Sequence, residues 1–400
     1  MTGEPLVNAE LLGAAASSAP QPGDVPRLVD LPQAIQPGVA LVIQGVRRSG
    51  KSTLMRQLVD HYRLGHDRCL LMNFEDPRLS QRLETATLDQ LVAAWRERHP
   101  APTPLTFLFD EIQWIPGWER WLRVQLDRGE HRFVISGSNA QLLGGELGTV
   151  LTGRHMTVEV QPFSLAEARG LVPNIALVDH LHHGGFPAPL RLVQQQLNRD
   201  ADRLLQTYFG DIVTRDVRER VGARSARPVL QVAQMAYESA GSELSYRRVA
   251  AAAGLSVDTA KAYLTACQDA YLLYRCPYFA WSERKRMSRN AKFYPVDTGL
   301  RRMAVIRGGD DRGKALECAT FLALRRRFNE VCYWRGGGPG QGEVDFVVQA
   351  GERLVPVQVT WDALQERHER ALRAFFETFP MAAEPVVVTA KSFEESVAEV

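Results

Sequence analysis

Two stretches, far apart in the chain, hold the residue types needed to grip and split a triphosphate. The first is Gly45-Val46-Arg47-Arg48-Ser49-Gly50-Lys51-Ser52-Thr53, a full match to the spacing G-x-x-x-x-G-K-[ST]. Gly45 and Gly50 let backbone N–H groups converge on an anion, and a following helix adds its positive dipole end. Lys51 is expected to reach the β- and γ-phosphates and Ser52 to hold Mg²⁺, with Arg48, Ser49 and Thr53 completing the phosphate-binding turn. The second stretch is Leu105-Thr106-Phe107-Leu108-Phe109-Asp110-Glu111. Here Asp110 is expected to bind Mg²⁺ through water and Glu111 to polarise the attacking water, a division of labour that suits nucleotide hydrolysis.

Both stretches need particular elements behind them. The apolar run Val39 to Ile43 predicts a short buried strand, and Thr53 to Leu64 has helical spacing. Residues 105–109 are apolar without alternation, as in a strand covered on both faces, and such strands present ligands at their carboxyl ends. A further strand, Arg132 to Ser136, ends in Gly137-Ser138-Asn139. Ser138 or Asn139 could hold the lytic water or the γ-phosphate, or could cap the next helix. Another strand, Met156 to Val160, follows Gly153-Arg154. Arg154 should face away from its own nucleotide, where it could complete a neighbouring subunit's site or form an ordinary surface ion pair. Upstream, a helix ending before Pro37-Gly38 is expected to feed the first strand.

Composition bounds the class. Four hundred residues with 45% apolar content suffice for two or three domains. No apolar run approaches the roughly 18 residues of a bilayer span. No secretion signal is read at the start, and the five cysteines form neither a C-x-x-C pair nor a metal spacing. A cytoplasmic protein is the expectation. The net charge of +2 decides little, because a near-neutral total can hide a basic face.

Together, the phosphate loop with Arg47-Arg48, the stretch Leu71 to Arg78, Phe109-Asp110-Glu111-Ile112-Gln113, the Gly137-Ser138-Asn139 tip and Leu151-Thr152-Gly153-Arg154 resemble the AAA+ ATPases. More narrowly they resemble a prokaryotic group whose core is akin to origin-recognition and signal-transducing ATPases. The resemblance implies ATP and Mg²⁺, and a homo-oligomer, a hexamer being one candidate. It also aligns Gly184-Gly185-Phe186-Pro187 with a turn in which Pro187 approaches the base. A simple tight turn is the alternative.

Farther on, Leu244 to Leu264 reads as a helix ending at Gly254, a short turn, and a second helix capped by Ser256, which is a helix-turn-helix pattern. The strand-like run Tyr274 to Trp281 then leads to the basic segment Ser282 to Asn290, expected as the hairpin wing of a winged helix. Arg284, Lys285, Arg286, Arg289 and, on the second helix, Lys261 are the expected DNA contacts.

In the last hundred residues Glu317 sits on a helical run, Asp345 on a strand, and Gln358-Val359-Thr360 closes the next strand. That layout resembles restriction-type PD-(D/E)xK nucleases, in which acids hold metal and a lysine assists water. Gln358 and Thr360 stand where Glu and Lys belong, so the resemblance implies a nuclease-like fold without cleavage.

The whole reads as an α/β chain, a P-loop AAA+ parallel-sheet domain followed by a winged helix and a small α/β restriction-nuclease-like domain. The expected boundaries are a flexible leader at 1–23, the nucleotide domain at 24–170, a helical lid at 171–225, the winged helix at 226–300 and the nuclease-like domain at 301–400. The function expected is a Mg²⁺-dependent ATPase that remodels or moves on DNA, branched DNA included. The alternatives are a nucleotide-operated switch that docks a protein, or an ATP-linked nuclease.

Overall fold

A computed structural model describes residues 21–76, 79, 83–100, 104–138, 151–306, 311–337 and 342–400. Most of the expected leader, Pro77 and Arg78, and Asn139 lie outside the described residues. The chain divides into two compact units, one ending at Gln161 and one running from Pro162 to Val400.

In the first unit the strands are β1 (Ala40–Gln44), β2 (Cys69–Asn73), β3 (Thr106–Asp110), β4 (Arg132–Gly137) and β5 (His155–Glu159), and the helices are α1 (Lys51–His61), α2 (Thr85–Arg98) and α3 (Trp118–Arg128). The five strands form one parallel sheet in the order β2-β3-β4-β1-β5. β4 therefore separates the strand leading to the glycine loop from the strand ending in the two acids.

Alternate residues of each strand serve different cores. Phe107, Phe109, Phe133 and Ile135 pack under α2 and α3 with Trp95, Trp118 and Leu122. Leu108, Val134, Leu41 and Ile43 pack with Leu54, Met55 and Leu58 of α1. Burial on both faces is why residues 105–109 show no polar alternation, and only such strands are apolar throughout.

The helix expected before Pro37 does not form. Residues 24–36 have no regular structure and lie against α1, where Gln57 donates to the Val25 carbonyl at 2.8 Å and Tyr62, just past the helix, to that of Pro32 at 2.6 Å. Pro26 and Pro32 each remove a backbone donor and bias the preceding residue away from helix.

The second unit begins with α4 (Leu165–Leu171), α5 (Leu177–His183), α6 (Pro187–Gln194), α7 (Asn198–Asp211) with a widened π turn over Ile212–Arg218, and α8 (Ala226–Glu238). Then come α9 (Tyr246–Ala253), α10 (Val257–Asp269), β6 (Leu273–Cys276), α11 (Glu283–Met287), β7 (Lys292–Pro295) and α12 (Thr298–Ala304). α9 ends at Gly254 with φ of 65°, and Ser256 caps α10 by accepting from Thr259 N–H. β6 and β7 pair antiparallel. β6 stops at Cys276, short of the expected Trp281, and the expected hairpin tip is the single-turn helix α11.

The unit closes with α13 (Arg312–Arg325), β8 (Cys332–Arg335), β9 (Glu343–Ala350), β10 (Arg353–Val359), α14 (Glu366–Thr378), β11 (Val386–Val388) and α15 (Phe393–Glu399). Its sheet has the order β11-β10-β9-β8. Trp334, Val344, Val347 and Leu354 pack against Leu372 and Phe375 of α14. All five cysteines are buried free thiols.

Candidate functional site

The loop between β1 and α1 turns on two left-handed positions, Arg48 with φ of 69° and Gly50 with φ of 99°. Gly45 is needed for a separate reason: a Cβ there would sit 2.2 Å from the Val160 carbonyl. The Lys51 ammonium is buried within the loop, donating to the carbonyls of Gly45 (3.2 Å) and Val46 (3.3 Å) and lying 3.6 Å from a Glu111 oxygen. Ser52 Oγ donates to Asp110 Oδ2 at 2.5 Å. The fold thus brings together Lys51 and Ser52 at the start of α1 and Asp110 and Glu111 at the end of β3, across the intervening β4. Ser138, just past β4, joins them by donating to Glu111 Oε2 at 3.3 Å.

Asp110 and Glu111 are both buried, and their environments push them apart. Burial, and then the charge of Glu111, raise the Asp110 carboxyl above its ordinary range, against the hydroxyls of Ser136 and Ser52. Burial pushes Glu111 up as well, but the Lys51 ammonium, the Gln113 amide, Arg47 and Ser138 outweigh it and hold it below its ordinary value. The ionised form of Glu111 is therefore favoured, the state a proton acceptor needs. Its backbone is strained, with φ of 54°.

Three side chains of this site had no role assigned from the sequence. Gln113 donates to Glu111 Oε2 at 2.5 Å. Ser136 accepts from the Glu111 N–H at 3.2 Å and donates to Asp110 Oδ1. Arg27, buried, donates to the carbonyls of Ser49 and Gln161, both at 2.6 Å, tying the loop to the end of the unit. Gln113 was visible as a polar residue beside the acids. Arg27 and Gln161 carried no local signal, since they meet across 134 residues.

The donor set suits a Mg²⁺-bound triphosphate: a hydroxyl and a carboxylate as hard oxygen ligands, a lysine, and a loop in which the buried Ser49 Oγ has no partner among the described residues. Thr53, the residue after Ser52, accepts from Arg56 at 3.2 Å.

Arg154 lies elsewhere. Its carbonyl accepts from Ala40 N–H at 2.9 Å, so it stands at the opposite end of the sheet from the loop, and its guanidinium is ion-paired with Asp127 of α3. Pro187 belongs to the second unit and is the first residue of α6. The preceding glycines fit a close packing there. Gly185 N–H donates to Asp297 Oδ2 at 2.6 Å, and a Cβ at Gly185 would meet the Phe163 carbonyl at 2.1 Å.

Of the basic tip, Arg284, Lys285 and Arg289 are exposed, with Arg289 over the Tyr278 ring at 5.4 Å. Arg286 is not free as expected: its guanidinium pairs with Glu330 and with Glu283. Lys261 is exposed on α10, 5.8 Å from the Tyr246 ring centre.

In the second unit, Glu317, Asp345, Gln358 and Thr360 line one cavity of about 650 Å³. The cation that Thr360 does not supply comes from another strand. Lys292, at the start of β7 and completely buried, is 3.8 Å from Glu317 and directly bonded to Glu343. Burial pulls its ammonium down, but Glu317, Glu343 and Asp345 outweigh burial and raise it. Glu317 also accepts from Tyr294 at 2.7 Å, while Asp345 accepts from Gln358 and from the Val359 N–H at 2.8 Å. Burial, and then Glu317, push the Asp345 carboxyl up. Among the described residues no three His, Cys, Asp or Glu side chains converge as a metal site. Nor is any described helix long and apolar enough to cross a membrane.

A glycine loop before a helix, two acids one strand removed and a parallel sheet define a P-loop ATPase core of the AAA class. A model described as an AAA domain matches residues 38–169. Two domains of unknown function, DUF8612 and DUF4143, match residues 174–311 and 312–399. An uncharacterized protein of Haemophilus influenzae is 30% identical over 345 residues, covering 82% of this chain and 84% of that protein. One from Methanocaldococcus jannaschii is 26% identical over 363 residues, covering 85% and 78%. The chain belongs to the family of the Haemophilus influenzae protein, and its own residues 38–169 carry the AAA-domain match. Among solved structures, the Aeropyrum pernix ORC1 protein in complex with DNA overlays with a TM-score of 0.29 at 10% identity, over 66% of this chain and 86% of that one.

Proposed function

We propose that the chain is a Mg²⁺-dependent ATP hydrolase that uses turnover to act on DNA. The observation that carries the enzymatic part is the convergence of Lys51, Ser52, Asp110 and Glu111. Lys51 trades its loop carbonyls for the β- and γ-phosphate oxygens, and backbone N–H groups from Gly45 to Lys51 hold the rest of the chain of phosphates. Mg²⁺ held by Ser52 and Asp110 would draw charge from the phosphate oxygens. Glu111, ionised, accepts the proton of the attacking water as the new bond to the γ-phosphorus forms and the bond to ADP breaks. Ser138 keeps that carboxylate in place, and Asn139 stands next to it in the chain as a second candidate for sensing the γ-phosphate. Arg154 serves a neighbouring subunit, which requires its release from Asp127.

The second unit acts downstream. The helix pair α9 and α10 with β6, α11 and β7 supports a winged-helix reading, and its basic tip favours contact with phosphates. The last domain is read as nuclease-like without cleavage, because its acids are engaged by Lys292, Tyr294 and Gln358.

The test measures nucleotide binding, ATP turnover and its response to DNA. Lys51→Ala should lose nucleotide binding, whereas Glu111→Gln should bind ATP and turn over at least a hundredfold more slowly. Undiminished hydrolysis by Glu111→Gln would remove Glu111 from the mechanism. ATPase stimulation by duplex, forked or junction DNA that fades with salt supports the DNA reading, and indifference to all of them supports a protein-docking switch. Nicking of a plasmid in Mg²⁺ or Mn²⁺ would overturn the view that the last domain does not cut.

A further inference from the structure

The tip between β6 and β7 exposes two large apolar side chains that the fold does not use. Trp281 is 70% exposed and Met287 76% exposed. The indole is anchored by one ring contact, with Phe279 at 5.3 Å and 72°, and most of its surface stays open to solvent. Phe279 is itself braced by Phe379 at 5.4 Å. The tryptophan is therefore a supported, outward-facing plate.

Its surroundings select the kind of partner. Arg284 and Lys285 are exposed on the same short helix and form no ion pair among the described residues, and Arg289 lies two residues beyond Met287. An exposed apolar plate on a tip that also displays these cations, with one acid, Glu283, paired to Arg286, fits a ligand that is anionic along its backbone and flat and aromatic in its side groups. By contrast, the exposed face of α10 carries Asp258, Lys261, Ala262 and Thr265, one charge of each sign. A neutral helix face has little with which to track a phosphate backbone or read a groove.

Resting on the DNA reading above, we propose that Trp281 is a stacking platform for an unpaired base, so that the preferred DNA has single-stranded or forked character. Inside a duplex each base face is covered by its neighbour, and an indole gains a face only where pairing has ended. Arg284 and Lys285 hold the phosphates on either side of that base. The tip thereby distinguishes a fork from continuous duplex without reading sequence.

The test uses the full chain, fluorescence anisotropy at low salt, and three labelled DNAs: a fork, a single strand and a dumbbell duplex closed at both ends by non-nucleotide linkers, so that it offers no unpaired base. Wild type should prefer fork and single strand to dumbbell. Trp281→Ala should weaken fork binding about tenfold and leave the dumbbell unchanged, while Trp281→Phe keeps most of the preference. Arg284→Ser with Lys285→Ser should weaken binding to all three and flatten the salt dependence. Equal fork affinity for Trp281→Ala, or an equal loss on the dumbbell, overturns the platform and leaves the DNA reading standing. No binding of any DNA by wild type overturns both. If Trp281→Ala instead dissociates an oligomer in sedimentation without changing DNA affinity, the plate is a subunit contact and the proposal falls.

Discussion

Lys292→Met is the substitution whose consequences the second unit defines best. Lys292 is fully buried and balances three acids, and methionine keeps most of its volume while removing the charge. Breaking a buried pair by deleting one partner costs about 3–5 kcal/mol. Two features pull toward the lower end. Glu343 retains Arg335 at 2.7 Å, and Glu317 retains the Tyr294 hydroxyl. The cavity also lets water reach the acids. A loss of about 3 kcal/mol in a unit of this size corresponds to a midpoint lowered by roughly 6–12 °C. The pH dependence has a definite sign. Without the ammonium, which opposes the upward push on Asp345, that carboxyl rises further in the folded state, so the folded chain keeps a proton that the unfolded chain releases, and stability falls as pH rises through that window. The deficit should therefore be larger at pH 8 than at pH 5.5. Thermal unfolding by circular dichroism at both pH values measures this, and adding Glu317→Gln should recover part of the loss. A midpoint within 2 °C of wild type at both pH values would show that the acids do not depend on Lys292.

Three further outcomes are expected. Gln113→Ala should lower kcat about tenfold with KM little changed and move the acid limb of the pH profile upward, because the amide helps hold Glu111 below its ordinary range; steady-state kinetics against pH would reveal an unchanged limb if the amide is idle. Gly185→Ala should destabilise the second unit by about 2 kcal/mol or more in urea unfolding, since its Cβ would lie 2.1 Å from a backbone oxygen. Asp297, buried beneath that turn, is pushed up to about 6 by burial against its bonds from Gly185 and Leu300. Because the folded form holds its proton longer than the unfolded one, stability should fall by about 3 kcal/mol as pH rises from about 4 to 6. Asp297→Asn should lack that slope when unfolding is followed across the same range.

The chemistry at the glycine loop was legible in the sequence because it is local. Gly45, Gly50, Lys51 and Ser52 belong to one turn, and Asp110 with Glu111 end a strand whose unbroken apolar character signals burial on both faces. The α/β class follows from the same periodicities. The pairing of Ser52 with Asp110 was different, since it depends on β4 lying between β1 and β3, an order of strands that residue types do not encode. The same is true of Arg27 on the Ser49 carbonyl, which joins segments that no spacing rule connects. Lys292 makes the point most clearly. Thr360 was read as the loss of a cation, yet the sheet and β7 bring a lysine to the same acids from 68 positions earlier in the chain, as the sequence numbering gives (360 − 292 = 68). Sequence alone determined which chemistry each short motif can perform, because side-chain type and near-neighbour spacing are properties of the chain. Tertiary structure decided which charges meet in a buried space, because Coulomb and hydrogen-bond terms act over a few ångströms in three dimensions and are indifferent to distance along the chain.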